Sequence, residues 1–170
     1  MQTRSIKDML NTFKVVTWNV NGLQEGLKKT VIYHLENRSA DIVFLQELHF
    51  RAGQIEFLKR RWVGEAFEAV YTSRSRGVGI LIDKRIPFKL VSQHSDPYGR
   101  YLIIKCELFR ELYTLLSIYR PPAADMAFLK DIQIRLDSSQ TGLIIMGGEL
   151  NMLETFNFPV EFINMVPAPP

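Results

Sequence analysis

Two apolar runs restrict the folds open to this chain more than any other feature. "DIVFLQEL" (41–48) carries four apolar residues in succession, and "GLIIMGG" (142–148) does the same before two glycines. A strand with water on one face alternates apolar and polar residues, so an unbroken apolar run belongs to a strand covered on both faces. Such strands call for a layered protein with sheet packed on sheet.

The intervening pattern agrees. "KVVTWNV" (14–20) reads as a strand, rich in β-branched and aromatic residues and broken by Asn21-Gly22. Leu27, Val31 and Leu35 recur every fourth residue and predict an amphipathic helix to about Asn37. Ile55, Leu58 and Trp62 mark a short second helix with basic residues on its other side. The middle is strand-rich, over 66–72, 78–82, 88–93, 100–108 and 113–119, with Gly77 and Gly79 as breaks. "DPYG" (96–99) is a turn in which proline fixes one dihedral and glycine frees another. A third helix is predicted from Asp125, its candidate N-cap, to Asp137, with Leu129, Ile132 and Leu136 on one face. The order of elements predicts an α/β protein: two packed, mostly antiparallel sheets flanked by helices. The length of 170 residues suits one domain, 1–170.

Composition removes several classes. The chain is 46% hydrophobic and 23% charged, a globular balance that argues against disorder. No apolar run reaches the length of a membrane span, and "MQTRSIKDML" lacks the apolar core of a secretory signal. The single cysteine, Cys106, lies in the strand-like "LIIKCEL" and reads as a small buried hydrophobe. A lone cysteine fits a reducing compartment, so the expected location is intracellular, nuclear or cytoplasmic. The net charge of +3 permits a polyanionic partner without demanding one. Lys28-Lys29 and Lys59-Arg60-Arg61 read as solvated helix faces, whereas Arg74 and Arg76 stand out in a loop between strands beside a glycine.

Strand ends are where a rigid scaffold can aim polar groups that stay accessible. Four segments end alike: "TWNVNG" with Asn19, "LQELHF" with Glu47 and His49, "SIYRPP" with Tyr119, and "GGELN" with Glu149 and Asn151. In an extended segment residues two apart share a face, so Glu149 and Asn151 are expected to point together. Gly147-Gly148 leaves room for backbone, substrate or metal to come close. Taken singly, each residue has a plainer reading: a solvated carboxylate, a turn-capping Asn19, a core Tyr119 with a wet hydroxyl, a loop His49. His34 and His94 receive no role. No Cys/His spacing suggests zinc, and there is no Gly-x-x-x-x-Gly-Lys phosphate loop.

As an ordered set, "TWNVNGL", "DIVFLQELHF", "GVGILI", "LLSIYRPP" and "IIMGGELN" resemble the successive signatures of the endonuclease/exonuclease/phosphatase superfamily. Within it the resemblance is to LINE-type retrotransposon endonucleases, relatives of apurinic-site endonucleases, and it runs from about Lys14 to Glu154. It implies a four-layer α/β sandwich and a metal-dependent phosphodiesterase of the DNA-endonuclease type, using Mg²⁺ or Mn²⁺. By the same resemblance Glu47 binds the cation with help from Asn19, Tyr119 lies beside the phosphate, and Asn151 orients phosphate or water. Glu149 stands where the family has aspartate, positioning or activating the nucleophile. Arg74, Arg76 and His49 are the expected contacts to a DNA backbone, and the expected state is a monomer with no membrane association. A hard cation with few carboxylates and open positions suits phosphodiester cleavage.

Three departures shape the expectation. Glu149 replaces aspartate, Leu48 replaces threonine, and the family's final Ser-Asp-His stretch does not follow Asn151. The sequence therefore leads to a domain lacking its C-terminal part, weak or inactive alone, with apolar surface uncovered on the second sheet. The alternatives are a non-catalytic remnant with weak metal or nucleic-acid binding, and a phosphatase of the same superfamily.

Overall fold

The computed structural model describes residues 13–23, 25–62, 64–122, 127–137 and 142–150. Among them the order is β1 (Val15–Asn19), α1 (Glu25–Asn37), β2 (Ile42–Gln46), α2 (Ile55–Trp62), β3 (Gly64–Ala69), β4 (Val78–Asp83), β5 (Phe88–Ser95), β6 (Tyr101–Leu108), β7 (Glu111–Tyr119), α3 (Ala127–Asp137) and β8 (Leu143–Glu149). They form two four-stranded sheets, β1-β2-β4-β3 and β5-β6-β7-β8. Each has one parallel pair, β1 with β2 and β7 with β8, joined through a helix; the other pairs are antiparallel. No helix among the described residues is long and apolar enough to cross a membrane.

The apolar run in β2 divides by the strand's period of two. Ile42 and Phe44 enter the core between the sheets, whereas Val43 and Leu45 lie with the helical layer of α1 and α2. In the second sheet Leu115 and Ile145 face the shared core, while Leu116, Ile118 and Met146 pack with Phe128, Leu129 and Ile132 of α3. Four layers follow: helices, sheet, sheet, helix. The α/β sandwich of two mostly antiparallel sheets expected from the sequence is the observed fold.

Three local expectations need correction. In α1 the buried stripe is Lys28, Val31, Ile32 and Leu35, and Leu27 is half exposed. The best fit to the helical period starts one residue later than Leu27, on a lysine whose apolar stem can line a core. Gly79 does not break β4 but lies within it, and a Cβ there would press on the Leu48 side chain at 3.1 Å. Gly147 and Gly148 do make room for a close approach, but of the protein's own backbone and side chain and not of a ligand. A Cβ on Gly147 would run into the ring of Phe44 across the sandwich, and one on Gly148 would run into the Ile118 carbonyl of the adjoining strand. These glycines let β8 close against β2 and β7. Asp125, the expected cap of α3, lies outside the described residues.

Candidate active site

The strands of each parallel pair finish at the same end of the sandwich: β1 at Asn19, β2 at Gln46, β7 at Tyr119 and β8 at Glu149. Backbone bonds stitch the exits of β1 and β2 together. The Val20, Gly22 and Leu23 amides donate to the carbonyls of Gln46, Glu47 and Leu48. The β3–β4 connection joins them, since the Leu48 and His49 amides donate to the Gly77 and Arg76 carbonyls. On the other sheet Tyr119 and Glu149 are register partners, and the Arg120 amide donates to the Glu149 carbonyl.

Five side chains meet there. The Asn19 amide nitrogen donates to Glu47 Oε1 and to Glu149 Oε2, each at 2.9 Å. Its orientation is set from behind, because Asn19 Oδ1 accepts the Asn21 N–H at 3.0 Å. The Tyr119 hydroxyl is hydrogen-bonded to Glu47. His49 Nε2 lies 3.4 Å from Glu47 Oε2. Two carboxylates within reach of one donor form a concentrated negative site, and Tyr119 registers it. Burial, the bond to Glu47 and the charges of Glu47 and Glu149 push its phenol up to about 12, against the opposing pull of Arg76.

The backbone around this cluster is unusual. Asn21, Glu47, His49 and Arg76 all have φ between 45° and 60°, a left-handed conformation uncommon outside glycine. Such residues cost about 1–3 kcal/mol each and gather where a function over-determines them. At Glu47 the reversal ends β2 and turns the carboxylate toward the facing sheet. Gly22 (φ +87°) provides the space for His49, since a Cβ there would lie 2.7 Å from Nδ1.

Of the residues singled out in the sequence, the structure brings Asn19, Glu47, His49, Tyr119 and Glu149 together. Arg76 lies near enough to affect Tyr119, with its guanidinium 4.7 Å from the Tyr71 ring centre. Arg74 is exposed on the 72–75 turn. Asn151 lies outside the described residues. Leu48 is fully buried in the helical layer, so the side chain standing for a threonine belongs to packing. Cys106 is buried, and burial pushes its thiol up to about 12, consistent with an inert core residue. Two contributors were not singled out as site residues: Asn21, which aims Asn19, and Lys28, buried beside the same loops. The spacing of Lys28 to Val31, Ile32 and Leu35 was the available signal.

The sequence model of the Endonuclease/Exonuclease/phosphatase family matches residues 16–159. The chain belongs to that family. Solved structures of similar fold include D. rerio TDP2 complexed with single strand DNA product (TM-score 0.63, 20% identity, 82% of this chain and 61% of that one). The endonuclease domain of TRAS1, a telomere-specific non-LTR retrotransposon, gives a TM-score of 0.58 at 16% identity over 82% of this chain and 59% of its own. The mannosyl-6-phosphatase Bt3783 of Bacteroides thetaiotaomicron gives 0.61 at 10% identity over 79% and 63%. The chain thus spans about three fifths of the length of these solved structures.

Proposed function

We propose that this chain is a metal-dependent phosphodiesterase of the DNA-endonuclease type, retrotransposon or apurinic-site-like. The observation that carries this reading is the Asn19 amide held 2.9 Å from both Glu47 and Glu149 beside the Tyr119 hydroxyl. Family membership and the nuclease folds among its structural relatives support it.

The donor chemistry fits a hard divalent cation such as Mg²⁺ or Mn²⁺, since the converging groups are carboxylate oxygens and no thiolate is near. Among the described residues no three His, Cys, Asp or Glu side chains group as ligands, which suits an ion that keeps much of its water. Glu47 and Glu149 would hold it, and when bound it would neutralise phosphate charge and acidify a water. Asn19 presents N–H rather than oxygen to the cluster, so its part is to fix the two carboxylates. Tyr119 stays protonated to high pH and can donate to a phosphate oxygen. Glu149 accepts the proton of the attacking water, and His49 orients Glu47. Arg76 faces the phosphate, Arg74 grips the neighbouring backbone, and Asn151 orients phosphate or water. DNA is the partner, bound mostly through its phosphates.

A supercoiled-plasmid assay with Mg²⁺ tests the reading. Weak nicking that Glu47→Ala abolishes is expected. Glu149→Asp should raise the rate, by up to about a hundredfold if the longer side chain misplaces its carboxylate by roughly 1 Å. Phosphomonoester hydrolysis without nicking would favour a phosphatase, and neither activity would overturn catalysis altogether.

A further inference from the structure

The turn at 96–100, between β5 and β6, is tied to both halves of the site. Asp96 is 3% exposed, and its carboxylate takes three bonds from Arg100: Oδ2 accepts the backbone N–H at 3.0 Å and Nε at 2.8 Å, and Oδ1 accepts Nη2 at 3.0 Å. The Gly99 amide donates to the Asp96 carbonyl at 3.0 Å, and the Asp96 amide donates to the Tyr101 carbonyl at 3.1 Å. An aspartate that bonds its own turn and forks onto one guanidinium fixes the shape of the loop and the direction of the side chain together.

Two outward bonds of this turn reach the carboxylate cluster. The β6–β7 register ends at Ile118, opposite Tyr101, and beyond it the Tyr119 amide donates to the Arg100 carbonyl at 2.7 Å. Toward the first sheet, the Gly99 carbonyl accepts the Gly77 amide at 3.1 Å, and the Gly77 carbonyl accepts the amide of Leu48, next to Glu47, at 3.0 Å. Both ends of the Glu47–Tyr119 bond thus lead back to one turn. The approach is tight: a Cβ on Gly99 (φ +64°) would lie 3.0 Å from the Gly77 nitrogen and 3.1 Å from that of Tyr71. Side chains repeat the tie. The Arg100 guanidinium stands 4.9 Å from the Tyr98 ring centre, Tyr98 6.1 Å from Tyr71, and the Arg76 guanidinium 4.7 Å from Tyr71.

We infer that Asp96 and Arg100 are positioning residues of the candidate site, holding Tyr119 of the second sheet in line with Glu47 of the first. The inference rests on the phosphodiesterase reading above and gives that site the groups that align its halves. Each acts through the turn and not by touching substrate.

A turn that served folding alone would change stability and leave the Tyr119 phenol where it is. NMR of isotope-labelled tyrosine, with Tyr119→Phe to assign the signal, follows that phenol as pH rises. In the parent chain burial, the bond to Glu47 and the nearby carboxylates hold it up to about 12. Asp96→Ala should bring it down toward the ordinary 10.0. The same variant should lower kcat for plasmid nicking with Mg²⁺ by about ten- to a hundredfold, with KM changed by less than about twofold. Leu136→Ala opens a cavity under the same sheet, at the end of α3 remote from Tyr119, and should move neither phenol nor kcat. Asp96→Asn, isosteric but uncharged, loses the fork with less disturbance to folding. It should shift the phenol in the same direction and takes the place of the alanine variant if that chain does not fold. An unchanged phenol in the folded Asp96 variant, an unchanged kcat where the parent nicks, or equal changes in Leu136→Ala overturns the inference. A lowered phenol in a chain whose parent never nicks upholds the positioning and counts only against the phosphodiesterase reading.

Discussion

The two sheets follow one plan with different finishes. Among the described residues each has four strands and a single parallel pair joined through a helix. The first sheet is covered by α1 and α2, and its strand exits reverse sharply through left-handed residues at Asn21, Glu47 and His49. Among the described residues the second is covered by α3, packed over β6, β7 and β8. Its β5 edge is largely exposed and is tied to the rest by a polar chain from His94 through Tyr101 and Asp131 to Arg135. Its site residues Tyr119 and Glu149 are not themselves left-handed, although Gly148, just before Glu149, has φ +144°. The site is therefore assembled from unlike halves, a bent amide and carboxylate from one sheet and a straight phenol and carboxylate from the other. Neither half forms the cluster alone, so the contact between the sheets is part of the candidate site.

The largest expected effect follows from that contact. Phe44 is fully buried and stands against Gly147 where the sheets close. Phe44→Ala should cost about 3–5 kcal/mol, read by urea unfolding, because the cavity opens between two backbones that cannot collapse. Site function should fall with it, as β2 and β8 lose their common support. A cost under about 1 kcal/mol would mean that the sheets are held together elsewhere.

The next test concerns the facing charges. The folded Tyr119 and Tyr101 phenols are pushed up to about 12, from an ordinary 10.0, by burial first and then by bonds to Glu47 and Asp131. A raised phenol pKa means that the protonated form is favoured in the folded state. The associated stability is fully present below pH 10 and is lost as pH rises toward 12. Unfolding free energy should fall over that window, and Tyr119→Phe should make the fall shallower. An identical pH profile in the variant would show that Glu47 does not hold the hydroxyl.

Much of this was legible because strand and helix periods are strong signals. The runs at 41–48 and 142–148 announced doubly covered strands, and Ile55, Leu58 and Trp62, which marked α2, are its buried residues. The site residues were found by their order along the chain and not by any local spacing. What stayed hidden was dictated by tertiary contact. Nothing local indicates that Gly147 makes room for Phe44, 103 positions earlier in the sequence. Lys28 looked like a solvated charge because its neighbour Lys29 is one. The distinction between Arg74 and Arg76 depends on a left-handed turn that places Arg76 near Tyr119 and leaves Arg74 outside.

The smallest expected effect addresses the uneven covering of the two sheets. Val91 lies at the irregularity between Leu90 and Ser92 on β5 and is 55% exposed. Edge strands of this kind resist pairing with other chains through bulges and charge, and Lys89 with Glu107 already supplies charge there. Val91→Lys should change unfolding free energy by less than about 0.5 kcal/mol, the usual range for surface positions away from caps and networks. The equivalent change at Val43, sealed beneath α1 and α2, would bury an unpaired charge and should prevent folding. A loss above about 1 kcal/mol at Val91 would reverse the comparison, because it would mean that β5 is as well covered in solution as the first sheet.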